Sequence, residues 1–200
     1  MKNSFAISGM GRSGTLFLAT MMNRSESWTV EHEPWPLYNL SKVMDELHER
    51  FDRENYGEVN SYLRDILLDL EVSKKGVIRR DPADVFISIC NWENDFIEKL
   101  PEKIEFIKRS FEAVDQALEA EDVYPIVFEK LTTDHVYANQ VIADFGIDDV
   151  VLDEGDLAKK IHRADTNSIE GFEDLTKEVV TLFKENLAWF SEKYDYEVPS

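Results

Sequence analysis

A glycine-rich loop near the amino terminus has the composition of an anion-binding site. Residues 9–15 read Gly-Met-Gly-Arg-Ser-Gly-Thr, between apolar runs at residues 4–8 and 16–19. These runs predict a strand before the loop and a helix after it. In such a unit, backbone N–H groups and the helix amino terminus converge on the loop. We predict that this phosphate loop holds an anion, although a tight strand-to-helix turn explains the same residues.

The residue after the last glycine bears on whether the anion belongs to ATP. Gly9 and Gly14 have the five-residue separation of a Walker A loop, but Thr15 stands where that motif requires lysine. The sequence also offers no convincing acidic residue at a strand end to hold Mg²⁺. ATP chemistry is therefore disfavoured and no metal is expected, with a P-loop kinase or nucleotide hydrolase kept as the alternative.

A second motif combines an arginine with a helix start. Residues 80–88 read Arg-Asp-Pro-Ala-Asp-Val-Phe-Ile-Ser after the predicted strand at residues 76–78, and the Asp-Pro pair is typical of a helix beginning. Asp84 and Ser88 share one helix face, and helical side chains lean toward the amino terminus. We therefore expect Ser88 to face the loop that carries Arg80, so that both bind one phosphate. A surface ion pair and a solvated hydroxyl are the alternative.

The two motifs together resemble those of the sulfotransferases that use 3′-phosphoadenosine 5′-phosphosulfate (PAPS). Residues 12–15 are similar to the Arg-Ser-Gly-Thr phosphosulfate loop of carbohydrate, tyrosylprotein and bacterial members. Residues 80–88 are similar to the family's 3′-phosphate motif, in which an arginine precedes Asn-Pro or Asp-Pro and a serine follows. Residues 128–131, Phe-Glu-Lys-Leu, resemble a later Tyr-Glu-Asp-Leu segment, with lysine in place of its acidic third residue. The resemblance implies a P-loop-like fold and sulfuryl transfer, with adenosine 3′,5′-bisphosphate (PAP) as product.

The resemblance also assigns cofactor ligands. Arg12 would offset charge on the bridging oxygen as the S–O bond breaks, and Arg80 with Ser88 would bind the 3′-phosphate. Family members close a basic loop over the nucleotide near the carboxyl terminus, and the candidate here is Arg163, which a solvated helix end explains equally well. The implied ligands are Gly11, Arg12, Ser13, Gly14, Thr15, Leu16, Arg80, Ser88 and Arg163.

Sulfuryl transfer also needs a group that accepts the proton of the attacking hydroxyl. Residues 31–34 read Glu-His-Glu-Pro. In an extended chain Glu31 and Glu33 point to one side and His32 to the other, and the following proline favours an extended Glu33. The Glu-Pro pair resembles carbohydrate sulfotransferases, so Glu33 is the first candidate base, His32 the second and Glu31 the third. An exposed acidic turn is the alternative.

The composition restricts the classes of acceptor and of binding partner that we expect. The net charge is −19, so nucleic acid and polyanionic glycans are disfavoured and a sugar, lipid or small alcohol is favoured as acceptor. Aromatic side chains suit such a pocket, although core packing explains them as well. The candidates are Trp28, Trp35, Tyr38, Trp92 and Phe96.

The elements that must position these residues follow from apolar periodicity. Strands are predicted at residues 4–8, 28–30, 76–78 and 125–128, and helices at 16–19, 40–51, 59–70, from 82, 104–118, 132–145 and 175–190. This alternation predicts an α/β fold, with helix layers on both sides of a central parallel sheet and ligands at the carboxyl ends of the strands.

Length and composition predict one domain over residues 1–200, because 200 residues with 43% hydrophobic content form one sizeable core. No signal peptide or membrane span is expected. A single cysteine, Cys90, in an apolar run indicates a buried thiol and a cytoplasmic location. The chain is short for a sulfotransferase, so a catalytically silent nucleotide-binding module is a further alternative. The sequence gives no oligomeric state.

Overall fold

Five parallel strands form one sheet within residues 3–34, 40–92, 97–158 and 169–199, the part of the chain that the computed structural model describes. The strands are β1 Ser4–Gly9, β2 Thr29–His32, β3 Tyr56–Val59, β4 Lys74–Arg79 and β5 Val123–Val127. They lie in the order β2-β3-β1-β4-β5, and each neighbouring pair is parallel. The predicted α/β class with a central parallel sheet is confirmed.

Helices cover both faces of this sheet. In the described ranges they are α1 Thr15–Met22, α2 Leu40–Phe51, α3 Pro82–Trp92, α4 Leu100–Glu119, α5 Phe128–Thr133, α6 His135–Asp144, α7 Glu154–Leu157 and α8 Lys177–Lys193. Ala6 belongs to a core with α2, α3, α4 and α8, whereas its neighbours Phe5 and Ile7 belong to a second core with α1, α5 and α6. Since successive strand residues point to opposite faces, the sheet lies between two helical layers.

The helices are amphipathic elements of a globular core. In α4, which has 20 residues, buried Ile104, Ile107 and Phe111 alternate with exposed charged residues. No helix in the described ranges is both long and apolar enough to span a bilayer.

The central position of β1 fixes where a ligand can bind. From β1 the chain passes first to β2 and β3 on one side, and then to β4 and β5 on the other. Ligands bind parallel sheets at the carboxyl ends of strands where the direction of winding changes. Gly9 at the end of β1 is in register with Ile78 of β4, so the phosphate loop and the Arg80 motif leave the sheet side by side.

The predicted helix at residues 59–70 is wrong. Val59 ends β3, and the following residues form two 3₁₀ turns, Ser61–Asp65 and Leu67–Asp69. Two features hid β3 from pattern analysis. Gly57 lies under the Phe5 ring, where any side chain would overlap it, and the fully buried Glu58 is paired with Arg50. The strand therefore lacks the apolar run that marks a buried strand in a sequence.

The helix predicted at residues 132–145 is present as α6, but it begins three residues later than expected. The chain forms α5 up to Thr133 and then α6 from His135. Asp134 between them is extended, and its side chain accepts hydrogen bonds from the backbone N–H groups of Val136 and Tyr137. An aspartate cap of this kind favours a new helix start over continuation of the first helix.

Candidate cofactor and transfer site

The phosphate loop makes a tight turn directly after β1. A Cβ atom on Gly9 would lie 2.5 Å from Ser13 Oγ and 2.9 Å from the Ile78 carbonyl oxygen. The Ser13 N–H donates to the Met10 carbonyl over 3.0 Å. Arg12, with a φ of 71°, has the left-handed conformation that an L-residue rarely adopts. Such backbone strain persists where the surrounding structure requires it, and it is concentrated at functional sites.

The start of α1 supplies hydrogen-bond donors that the protein leaves unused. Gly14 is the N-cap of α1, and no side chain caps this end. The first backbone N–H groups of a helix, here beginning with Thr15 and Leu16, have no acceptor inside the helix. The Ser13 hydroxyl is buried and has no hydrogen-bond partner. Unsatisfied donors at a helix amino terminus are the usual setting for a bound phosphate or sulfate.

Gly14 is the one loop position where a side chain is excluded on two counts. Its φ is 97°, and a Cβ atom would overlap the ring of Phe128. We expect Gly14→Ala to lower the free energy of unfolding by about 2–3 kcal/mol. Alanine is strained in the left-handed conformation, and its methyl group would also clash with the Phe128 ring. Urea unfolding measures this loss. Gly11→Ala is the matched control, since its Cβ atom meets nothing within 4 Å; equal losses in both variants would contradict the argument.

Arg80 reaches across to the phosphate loop. Its Nη1 donates to the Arg12 carbonyl oxygen over 2.8 Å, and its guanidinium lies 4.4 Å from the centre of the Phe128 ring. Its Nη2 is 3.7 Å from Asp84, a largely exposed side chain, while its Nε is buried without a partner. Burial lowers the pKa of Arg80, whereas Asp84 and Glu129 raise it. The guanidinium therefore has unused capacity to bind an anion.

Ser88 contacts Arg12 of the phosphate loop. The Arg12 Nε donates to the Ser88 Oγ over 2.9 Å, so α3 meets the phosphate loop through Arg12. One turn further along α3, the Trp92 ring lies 5.9 Å from the Arg12 guanidinium and is 41% exposed. The structure thus brings Arg12, Arg80 and Ser88 together, with Ser88 on the Arg12 side.

Glu129 supports the Arg80 motif, a role that pattern analysis did not assign. One of its carboxylate oxygens accepts from the Asp81 N–H over 2.8 Å, and the other accepts from the Tyr196 hydroxyl over 3.2 Å. The Asp81 side chain in turn caps α3 by accepting from the Ala83 N–H over 2.8 Å, as the Asp-Pro pair predicted. The signal for Glu129 was present in the Phe-Glu-Lys-Leu segment, which was noted only as a resemblance.

Glu33 and His32 both lie near the phosphate loop. His32 Nε2 is 3.2 Å from the Thr15 hydroxyl and 3.7 Å from a Glu33 carboxylate oxygen. That same oxygen of Glu33 accepts a 2.5 Å hydrogen bond from the Ser61 hydroxyl. The extended conformation predicted for Glu33 is wrong, because its φ is 43°. The chain bends at Glu33, and its carboxylate therefore lies beside the His32 ring instead of on the opposite side of the strand.

Glu31 points to the opposite face of the sheet. Its carboxylate pairs with the Arg50 guanidinium and lies 3.2 Å from the Tyr56 hydroxyl. Tyr56 also donates to the buried Glu58 over 2.7 Å, and burial raises the pKa of both Tyr56 and Glu58. The predicted pairing of Glu31 with Glu33 on one side is therefore wrong. Glu31 belongs to the Arg50 layer and does not reach the phosphate loop.

The aromatic candidates separate in the same way. Trp28 precedes β2, at the end of the sheet away from the loops, where its Nε1 donates to the Gly146 carbonyl and its ring packs on Phe5 at 5.2 Å. It does not line the site. Trp92 lies beside Arg12, as described above. The remaining candidates, together with the cofactor candidate of the basic segment, lie outside the described residues: Trp35, Tyr38, Phe96 and Arg163.

The described residues contain neither a metal-binding cluster nor an exposed thiol. No three His, Cys, Asp or Glu side chains in these ranges are grouped to hold a metal ion. Cys90 is fully buried in α3, and burial raises the pKa of its thiol to about 12. The predicted buried thiol is confirmed.

Comparison with known proteins finds the fold but no close relative. No protein-family model matches the sequence, and no curated protein matches it. A sulfotransferase from Alicyclobacillus acidocaldarius superposes with a TM-score of 0.53 at 15% identity, covering 98% of this chain and 97% of the other. Mouse sulfotransferase SULT7A1 complexed with PAP gives 0.58 at 14% identity, covering 94% and 85%. The sulfotransferase domain from the curacin biosynthetic pathway gives 0.54 at 14% identity, covering 99% of each chain.

These similarities extend over nearly the whole chain, whereas the identities are low. They show the fold: this chain has the fold of the sulfotransferases, as the two sequence motifs predicted.

Proposed function

We propose that this protein is a PAPS-dependent sulfotransferase that sulfates a hydroxyl group. The observation that carries the proposal is the cluster of unsatisfied donors at the carboxyl ends of β1 and β4. The Ser13 hydroxyl and the Arg80 Nε are buried without partners beside the uncapped start of α1. In a chain with a net charge of −19, such a concentration of donors fits an anionic ligand and little else.

The residues present fit a nucleotide with phosphate groups at both ends. The backbone N–H groups from Gly14 to Leu16 and the Ser13 hydroxyl would hold the 5′-phosphosulfate, and Arg80 with Ser88 would hold the 3′-phosphate. Arg12 lies between the two motifs, bonded to Ser88 and to Arg80. When bound, PAPS would supply the sulfuryl group through its phosphosulfate anhydride bond, with PAP as the leaving group, so the protein has to bind and orient the reactants and accept the proton of the attacking hydroxyl. The Arg12 guanidinium would stabilise the negative charge that grows on the departing phosphate.

Glu33 is the proposed general base. It lies on the same side of the sheet as the phosphate loop, since His32 beside it contacts Thr15. One of its oxygens is engaged by Ser61, which leaves the other to accept the acceptor's proton. Glu31 is excluded from this role by its contacts with Arg50 and Tyr56 on the other face. His32, whose Nε2 contacts Thr15, is the second candidate.

The net charge of the protein and the exposure of Trp92 indicate the class of acceptor. We propose a neutral sugar, lipid or small alcohol as acceptor, because a surface this acidic repels polyanions. Trp92 is half exposed beside Arg12 and offers an aromatic face for such a molecule. We propose that residues 1–200 act as a single domain, and the buried lone thiol fits a reducing compartment such as the cytoplasm.

Calorimetric titration with three nucleotides tests the cofactor assignment. We expect micromolar binding of PAP and much weaker binding of 5′-AMP, which lacks the 3′-phosphate, and of Mg-ATP. Transfer from ³⁵S-labelled PAPS to a panel of sugars and alcohols then tests catalysis. Preferential binding of Mg-ATP would replace the proposal with a kinase or hydrolase. PAP binding without transfer to any acceptor would indicate a silent nucleotide-binding module.

A further inference from the structure

The 3₁₀ turn Ser61–Asp65 packs against Glu33, the proposed base. Ser61, in the first position of this turn, donates a 2.5 Å hydrogen bond to the Glu33 carboxylate oxygen Oε1. Arg64, one turn later, donates from Nη1 to the Ser61 carbonyl oxygen over 2.7 Å. Glu33 is therefore connected through Ser61 to the guanidinium of Arg64.

Arg64 is an unusual residue to find at this position. It is only 7% exposed, and its Nε is buried with no hydrogen-bond partner. The Asp65 carboxylate lies 3.6 Å from its Nη2, a long contact to a side chain that is mostly exposed. Its guanidinium also lies 5.1 Å from the Phe106 ring. A buried cation with so few partners is costly, and each such group in a native protein calls for an explanation.

The electrostatic surroundings of Arg64 include the proposed base. Burial lowers the pKa of Arg64, whereas Asp65, Tyr62 and Glu33 raise it. Glu33 is thus within electrostatic reach of the guanidinium, and the Ser61 hydroxyl lies at its carboxylate. A side chain that served only to pack this turn would not need a charge, and a methionine or leucine there would avoid the desolvation cost.

We propose that Arg64 is a positioning residue for Glu33: by holding the Ser61 carbonyl it fixes the hydroxyl that engages Oε1 and so aims Oε2 at the acceptor. The role of Glu33 as base rests on the proposed function. The orientation of its carboxylate does not, because Ser61 and Arg64 make these contacts whatever the chain catalyses. Arg64 itself does not touch the reacting atoms.

The test compares Ser61→Ala and Arg64→Gln with Ser61→Thr, which keeps the hydroxyl, and with Arg109→Gln, the same change at an exposed arginine on α4. We expect Ser61→Ala to lower kcat about tenfold to 100-fold, the effect of losing a hydrogen bond to a charged group. Arg64→Gln should lower kcat about tenfold. The KM for PAPS and the Kd for PAP should stay within about twofold in both, and Ser61→Thr should restore most of kcat.

A spectroscopic readout makes the test independent of catalysis. In protein labelled with ¹³C at the glutamate carboxyl carbon, the Glu33 signal is identified as the one that Glu33→Gln removes. We expect this signal to move in Ser61→Ala and in Arg64→Gln but not in Arg109→Gln. If the wild type binds PAP but transfers nothing, the proposed function fails while this signal still decides the positioning role.

An unmoved Glu33 signal in both Ser61→Ala and Arg64→Gln overturns the positioning role. Movement in Ser61→Ala alone overturns the part assigned to Arg64. Should Arg64→Gln fail to fold, Arg64→Lys replaces it, because lysine keeps the charge but lacks the guanidinium that reaches the Ser61 carbonyl. A moved Glu33 signal with lowered kcat in Arg64→Lys supports the role, and an unmoved signal with wild-type kcat overturns the part assigned to Arg64.

Discussion

Arg80→Ala is expected to weaken PAP binding about 100-fold, which corresponds to a loss of about 2.8 kcal/mol. The Arg80 Nε is buried without a partner. The counterion of Arg80, Asp84, is 3.7 Å from its Nη2 and is largely exposed. A 3′-phosphate would therefore receive a charge-assisted hydrogen bond for which the free protein has no substitute. Calorimetric titration with PAP measures the loss. Binding of 5′-AMP should change far less, because that nucleotide has no 3′-phosphate to lose.

Arg79→Ala is the matched control for this prediction. Arg79 precedes Arg80 but its side chain turns toward the carboxyl-terminal tail, where it lies 5.1 Å from the Tyr194 ring and 5.7 Å from that of Tyr196. Arg79→Ala therefore removes the same charge from a neighbouring residue whose side chain faces away from the phosphate loop. If Arg79→Ala weakens PAP binding as strongly as Arg80→Ala, the loss reflects net charge and the assigned 3′-phosphate contact is wrong.

Glu33→Gln is expected to lower the rate of sulfuryl transfer by about 10²–10⁴-fold while leaving the Kd for PAP unchanged. Glutamine keeps an oxygen that can accept the Ser61 hydrogen bond, but it cannot take up a proton near neutral pH. The change therefore removes the base with little disturbance of its surroundings. Single-turnover transfer from ³⁵S-labelled PAPS, measured at saturating acceptor, separates this loss of chemistry from any change in binding.

Two further variants decide between the candidate bases. Glu31→Gln makes the same chemical change two residues earlier, in a side chain that pairs with Arg50 on the opposite face of the sheet. It should leave the chemical step intact. If His32→Ala abolishes transfer and Glu33→Gln does not, His32 is the base. Glu33 would then only orient the imidazole ring, whose Nε2 is 3.7 Å from a Glu33 carboxylate oxygen.

The elements that carry the phosphate loop and the Arg80 motif were predictable because local chemistry marks them. β1 and the buried centre of β4 at residues 76–78 are apolar, and residues that stop a strand follow closely, glycines after β1 and an Asp-Pro pair after β4. The start of α3 was placed correctly because its Asp81 cap needs only the next two residues. Such signals lie within a few residues of one another, and a single sequence displays them directly.

Features that depend on distant partners escaped prediction. β3 is stabilised by contacts that the sequence does not reveal, since Glu58 is paired with Arg50 and Gly57 fits beneath Phe5. The direction of Glu33 likewise depends on Ser61, which lies 28 residues further along the chain. Proline after Glu33 favours extension locally, but tertiary contacts determine the conformation that is observed.

Phe128 links the two halves of the proposed nucleotide site through one aromatic ring. Its edge occupies the space that a side chain at Gly14 would need, and the Arg80 guanidinium lies over the same ring. A larger residue at position 14 would require a smaller one at position 128, and that change would remove the surface on which Arg80 rests. We therefore expect positions 14, 80 and 128 to coevolve: in related chains they should change together or remain fixed.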